Sequence, residues 1–353
     1  MNVYANGCPG RIVAVEGQTL LFFSGTSYLG LADNKAFHDK IKEGLDQYGS
    51  NFAVSRSSNI RLDIYDRFER FMAKEFLFED CMTLSSGYLA GRLLVDYYFN
   101  KGRMFYSPDV HPTLWGQGER KANGQSFESW ADETVQLINT TDEAHYIIFT
   151  NSLSNLSAVI YPFDWLNRIH PDKNVTVIID DSHGIGVVGK EHKGISELLP
   201  PLRSSRIETV VVDSIGKALG IPGGVIFGRR SLLEQLRHSP FYTGSSPIIP
   251  AYLFAFMQTG SERKKAMECL SRNITFFKAH APSGITDLTY DYPVFLLKDD
   301  GVAEYCLDKG ILLSSFPYPK PEGANLTRIV LNACHTEEDL LFLIQTLKAF
   351  YGI

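Results

Sequence analysis

The chain has 353 residues, 44% of them hydrophobic and 21% charged, with a formal net charge of −6. That size and balance suit about two globular domains with an ample core. The acidic excess argues against a nucleic-acid binder, and the absence of any run of about 18 apolar residues argues against a membrane span. The N-terminus lacks a basic segment followed by an apolar core, so no secretory signal is expected. The cysteines, Cys8, Cys81, Cys269, Cys306 and Cys334, are scattered and form no CxxC pair. They read as reduced thiols of a cytoplasmic protein, with no metal site.

In chain order, Leu20-Leu-Phe-Phe reads as a short strand and Lys35–Gln47 as a helix. Asp63–Phe78 predicts a stronger helix, because Ile64, Phe68, Phe71, Met72 and Phe76 fall near one face and read as core. Cys81–Ser85 is a strand, Gly87–Tyr98 a helix, and Met104–Tyr106 and Tyr146–Thr150 are strands. Val175–Asp180 and Thr209–Asp213 are runs of β-branched residues, the pattern of buried parallel strands. Gly224–Phe227 is a further strand, and a helix begins over Ser231–His238. The end changes character: strands at Val294–Leu297, Ile311–Ser315 and Arg328–Asn332 precede a closing helix capped by Thr336, with acids in its first turn. Alternating strands and helices imply an α/β fold with a mostly parallel sheet flanked by helices, followed by a smaller α+β domain. The expected division is an N-terminal segment (1–45) packing with the small domain, a large domain (46–245) and a C-terminal small domain (246–353).

Two strand ends concentrate the chemistry. Val177-Ile-Ile-Asp180-Asp-Ser-His183 offers an acid and an imidazole; Val210-Val-Val-Asp-Ser214-Ile-Gly-Lys217 offers a hydroxyl and an amine. A strand that ends in such groups delivers them to a crevice at its carboxyl end. Together they suit pyridoxal phosphate (PLP) held as a Schiff base on Lys217, since a desolvated lysine presents a neutral amine. Asp180 would make a charge-assisted hydrogen bond to the pyridine nitrogen, and His183 would donate to the phenolic O3′. His111, in Asp109-Val-His-Pro-Thr, is placed to stack on the ring. Ser85-Ser86-Gly87-Tyr88 opens a helix whose amides could bind phosphate, joined by the Ser214 hydroxyl. Arg328 is the candidate for a substrate carboxylate. Each residue alone also has an ordinary reading as a loop or surface residue; Asp181 fits that of a turn acid better than Asp180 does.

These segments resemble the α-oxoamine synthases, a group of fold-type I PLP-dependent enzymes related to the class II aminotransferases. The resemblance runs from Ser27-Tyr-Leu-Gly to Ala333-Cys-His-Thr. Its most specific parts are Asp180-Asp-Ser-His-Gly-Ile-Gly-Val-Val-Gly189 and Ser214-Ile-Gly-Lys217. It implies the roles above, with Lys217 as acid and base at the substrate Cα. It also implies a homodimer with shared active sites, in which Ser245 or Thr243 reaches the phosphate of the neighbouring subunit's cofactor. The implied reaction condenses a small amino acid with an acyl-CoA and loses CO2 to give an α-amino ketone, as in the 8-amino-7-oxononanoate synthase branch. An aminotransferase or other α-carbon enzyme on the same fold is the alternative, and a catalytically silent PLP-binding dimer a more distant one. The chain departs from the family pattern around the substrates. Asn155, in Ser152-Leu-Ser-Asn-Leu-Ser157, replaces a serine expected near O3′, Pro112 follows His111, Ser27 precedes Tyr28, and the N-terminus is shorter than usual.

Overall fold

The computed structural model describes residues 4–116, 124–154, 157–299, 301–317 and 325–353. Strands β1 (Ile12–Val15) and β2 (Gln18–Phe23) form an antiparallel hairpin. Its two-residue loop, Glu16-Gly17, has φ of 50° and 82°, the left-handed pair that matches the strand twist. Helix α1 (Lys35–Tyr48) is capped by Asn34, whose side chain accepts from Phe37 N. In α2 (Asp63–Glu75) Ile64, Phe68 and Met72 are buried, as their spacing predicts. The expected Asp63–Phe78 helix stops at Glu75 because Leu77 turns left-handed, with φ of 62°.

The chain then alternates through β3 (Asp80–Leu84), α3 (Gly87–Tyr98), β4 (Arg103–Tyr106), α4 (Phe127–Thr140), β5 (Tyr146–Asn151), β6 (Val175–Asp180), β7 (Ile207–Ser214) and β8 (Gly224–Gly228). These strands form one sheet in the order β3–β8–β7–β6–β5–β4. Only β8 runs antiparallel to its neighbours. The sheet is covered on both faces. Val177, Ile179 and Val211 point into one core; Ile147, Phe149, Ile178, Val210 and Val212 point into the other, with Leu93 and Leu94 of α3. Burying each such side chain contributes roughly 1.5–3 kcal/mol.

Helices α5 (Arg230–Leu236), α6 (Pro240–Thr243), α7 (Pro250–Gln258) and α8 (Gly260–His280) lead into β9 (Val294–Leu297), α9 (Val302–Asp308), β10 (Ile311–Pro317), β11 (Asn325–Val330) and α10 (Glu337–Tyr351). The second sheet runs β1–β2–β10–β11–β9, so the first hairpin joins the C-terminal strands through the parallel β2–β10 pair. The strand expected over Arg328–Asn332 ends at Val330, because the Asn332 amide turns to donate to His335 Nδ1. Thr336 caps α10 as expected, in a reciprocal capping box with Asp339. Among the described residues no helix is long and apolar enough to cross a membrane, and no cluster of side chains could hold a metal ion. The five cysteines are free thiols.

Candidate active site

The carboxyl ends of β3 to β7 lie at one edge of the large sheet and supply the site. Asp180 ends β6 level with Asn151 of β5 and Val212 of β7. It shares the sheet face of Ile178 and Val212, the face covered by α3. One Asp180 oxygen accepts the Ser182 amide at 3.0 Å; the other lies 3.9 Å from His111 Nδ1. Past β7 the chain turns tightly, with the Ile215 amide donating to Gly223 O and the Ile221 amide to Ile215 O. That turn presents Lys217, half-buried. Burial pushes the Lys217 amine below its ordinary value, against the opposing pull of Asp180. The site therefore holds an amine biased toward its nucleophilic, neutral form.

His111 follows β4. Its amide donates to Asn151 Oδ1 at 3.1 Å, and Asn151 Nδ2 in turn donates to Asp109 O at 2.8 Å. Its Nδ1 accepts from the Thr113 amide at 3.3 Å, so a neutral ring carries its proton on Nε2. Burial first, then Lys217, pushes this imidazole down, while Asp180 raises it. The Thr113 hydroxyl donates to Tyr88 O at 3.0 Å and ties this turn to α3.

The N-terminus of α3 faces Ser214. Ser86 is its N-cap and accepts from Leu89 N at 3.1 Å, which leaves its own hydroxyl proton to donate. The amides of Gly87 and Tyr88, in the first turn, have no intrahelical acceptor. A Cβ on Gly87 would stand 2.6 Å from Ser214 Cα, so only glycine allows this approach. The Tyr88 side chain is exposed; its amide is the group offered to the site. The Ser214 amide is pinned by Ser182 Oγ at 2.7 Å.

His183 is held from behind. Tyr28 Oη lies 2.9 Å from its Nδ1, and Tyr292 Oη lies 3.1 Å from Tyr28 Oη and 3.2 Å from His183 O. Burial first, then Lys217, Arg328 and His111, keeps the His183 imidazole well below its usual range, hence neutral. The charge of Arg328, on β11, also favours the ionised forms of Tyr28 and Tyr292, so it acts on this group.

Lys217, Asp180, His183, His111 and Arg328 thus form one electrostatic cluster, with Ser86, Gly87 and Ser214 meeting beside it. Ser245 lies just past α6, where its hydroxyl donates to Phe241 O, and Ser55 reaches the neighbouring Thr243 O. Asn155 lies outside the described residues. Asp181, read as a turn acid, is buried and accepts the Ile195 amide at 2.8 Å. Sequence reasoning missed Asn151, which sets the His111 turn, and Tyr292. Asn151 ends a strand run as Asp180 does, a signal that could have found it; Tyr292 carries no local signal.

The fold and the site define an α/β protein with a lysine-centred crevice at the carboxyl edge of its sheet. The chain belongs to the aminotransferase class I and II family, whose model matches residues 28–347. A relative from Thermosipho melanesiensis, 8-amino-7-oxononanoate synthase, is 23% identical over 95% of this chain and 89% of its own. The 8-amino-7-oxononanoate synthase of Dechloromonas aromatica is 25% identical over 96% and 92%. A structure of SPT with PLP superposes with a TM-score of 0.82 over 99% of this chain and 92% of its own, at 18% identity. The fold expected from the sequence, type I of the PLP-dependent transferases, is the fold found.

Proposed function

We propose that the chain is a PLP-dependent acyltransferase of the α-oxoamine synthase type, which condenses a small amino acid with an acyl-CoA. One observation carries this reading: Lys217 sits half-buried at the end of β7, biased toward a neutral amine, with Asp180 and two neutral imidazoles around it. The relatives named 8-amino-7-oxononanoate synthase support it. The residues present fit PLP, because Gly87 lets the first turn of α3, whose amides have no intrahelical acceptor, come directly against Ser214. When bound, PLP supplies an electron sink for negative charge on the substrate Cα.

Lys217 would hold the cofactor and, once released, take and return the proton at the substrate Cα. Asp180 would keep the ring nitrogen protonated. His111 would lie against the ring, and His183 would face O3′. Amides of Gly87 and Tyr88, with the hydroxyls of Ser86 and Ser214, would hold the phosphate. Arg328 would take the amino-acid carboxylate as a bidentate partner. In the reaction, the amino-acid Cα bonds to the acyl carbon and the CoA thiol leaves. The carboxylate departs as CO2, and Cα is reprotonated. We place these sites in a cytoplasmic homodimer, with Ser245 or Thr243 reaching the phosphate bound by the second copy.

The test is a screen of amino acids against acyl-CoAs with the PLP-loaded protein, read as free thiol. Release of CoA that requires both substrates, is lost in Lys217→Ala, and accompanies borohydride fixation of PLP to Lys217 is the expected result. No thiol release with any pair, alongside transfer of the amino group to a keto acid, would replace this reading with an aminotransferase.

A further inference from the structure

The turn that carries His111 is fastened from outside as well as from within. Within it, the Val110 amide donates to Ser107 O, and Trp115 Nε1 donates to Val110 O at 2.8 Å. From the end of β5, the Asn151 side chain bridges Asp109 O and the His111 amide. A third hold comes from Tyr161, 52 residues beyond Asp109, whose hydroxyl donates to Asp109 Oδ2 at 2.6 Å.

Past β5 the chain doubles back: Leu153 pairs with Ile160, and the Tyr161 amide donates to Ser152 O at 3.0 Å. That reversal sets Tyr161 beside the end of β5. Its ring lies flat on Phe127, with centroids 3.8 Å apart and planes 4° from parallel. Phe127 opens α4 and is itself buried. The stack fixes the plane of the phenol, which is 8% exposed. Burial first, then Asp109, pushes this phenol up, so it keeps its proton and donates. The acceptor has little else. Asp109 is partly buried, and its Oδ1 has no hydrogen-bond partner among the described residues. A carboxylate in such a place that loses its charge-assisted bond is driven toward water. Asp109 cannot swing outward without pulling at Asn151 and, through it, at the His111 amide.

We propose that Tyr161 is a positioning residue: by holding Asp109 it fixes where His111 stands in the site. The ring stack supplies the rigidity and the hydroxyl supplies the hold. Removing the hydroxyl alone frees the turn, and His111 then moves out toward solvent. What this does to a bound cofactor rests on the reading of His111 as the residue against its ring; the placement of His111 in the unloaded protein does not.

Tyr161→Phe tests this, because it keeps the stack on Phe127 and removes only the hydroxyl. Carbon-13 NMR of histidine-labelled protein follows each imidazole through a pH titration, with His111 assigned by the loss of its signals in His111→Gln. Burial holds His111 below the ordinary 6.5, with Asp180 raising it and Lys217 lowering it. In the unloaded parent His111 is therefore expected to titrate below 6.5, and in Tyr161→Phe to move up toward it. His335, which bonds to Phe22 and Asn332 instead, is the internal control and is expected to stay in place. An unmoved His111 would leave Tyr161 no hold on the turn, and a shift shared by His335 would make Tyr161 ordinary core; either result overturns the proposal. With PLP bound, Tyr161→Phe is expected to weaken the visible circular dichroism of the cofactor and to lower kcat for CoA release several-fold, with KM little changed. If His111 moves in the unloaded protein while the PLP spectrum and kcat match the parent, Tyr161 still positions His111, and it is the ring-facing role of His111 that fails.

Discussion

Asp213 is the residue that the proposed chemistry does not use and the fold least comfortably holds. Val211 points away from the site face, and Asp213, two residues on, points the same way, opposite to Ser214. It is fully buried, and neither carboxyl oxygen has a hydrogen-bond partner. The β6–β7 register sets it level with Asp181, whose Oδ1 is also without one. Burial first, then Asp181 and Asp180, holds the Asp213 carboxyl well above its ordinary 3.8, so it is neutral in the fold. The unfolded chain gives up that proton more readily. Asp213 therefore costs stability that grows as pH rises above about 4. Asp213→Asn, neutral at every pH, should be more stable than the parent at pH 8, with the gap narrowing toward pH 5. Urea unfolding at the two values checks this, and an equal effect at both would refute the neutral-acid account. Sequence reading does not find such a group, because a strand position gives no sign of which partners lie across the sheet.

At the scale of elements, the large sheet was legible and the small one less so. The limits of α3 and β6 match the sequence expectation to the residue, since a helix opening at Ser86-Gly87 and an unbroken β-branched run are local signals. Local signals fail where the deciding partner is remote. Leu77 ends α2 with a left-handed turn that its own neighbours do not announce. Tyr292 reaches His183 only because the second sheet packs against the first. Lys217, Asp180, His183 and His111 were readable because each sits at or just past a strand end; Asn151 was missed at such a position, and Asp213 lies on the reverse face. The approach of α3 to β7 gives a further prediction. In Gly87→Ala the new methyl meets Ser214, so helix and strand must separate. The expected cost is about 1–3 kcal/mol, together with weaker PLP binding. A melting temperature and a PLP titration measure both, and unchanged PLP affinity would remove Gly87 and Ser214 from the phosphate cradle.

At the scale of the whole molecule, His335 joins the two ends of the chain. Its ring stacks on Phe23 at 4.0 Å between centroids, its Nε2 donates to Phe22 O at 3.0 Å, and its Nδ1 accepts from Asn332 N at 3.1 Å. Arg11 adds a two-pronged bond to Asp339 at 2.6 and 2.7 Å. Both ring nitrogens are satisfied only in the neutral form, and burial lowers this histidine from 6.5 to about 4. A histidine lowered in the fold binds its proton better when unfolded. Stability is thus complete above about 6.5 and declines as pH falls toward 4, by about 2 kcal/mol between pH 7 and pH 5. His335→Gln should be weaker at pH 7 yet show a flatter slope over that interval in urea titrations; an unchanged slope would assign the acid sensitivity elsewhere.

The parallel pairing of β2 with β10 also has a consequence for synthesis. β2 leaves the ribosome long before β10, its parallel partner. Until β10 emerges, the β1–β2 hairpin is an unfinished edge of apolar residues, and an isolated two-stranded hairpin has little stability of its own. The strands of the large sheet are all made before β9, but the second sheet, and with it the Tyr292 and Arg328 side of the site, waits for β9, β10 and β11. A nascent chain stalled between β8 and β9 would carry a formed Asp180–Lys217 half-site and no Tyr292 behind His183.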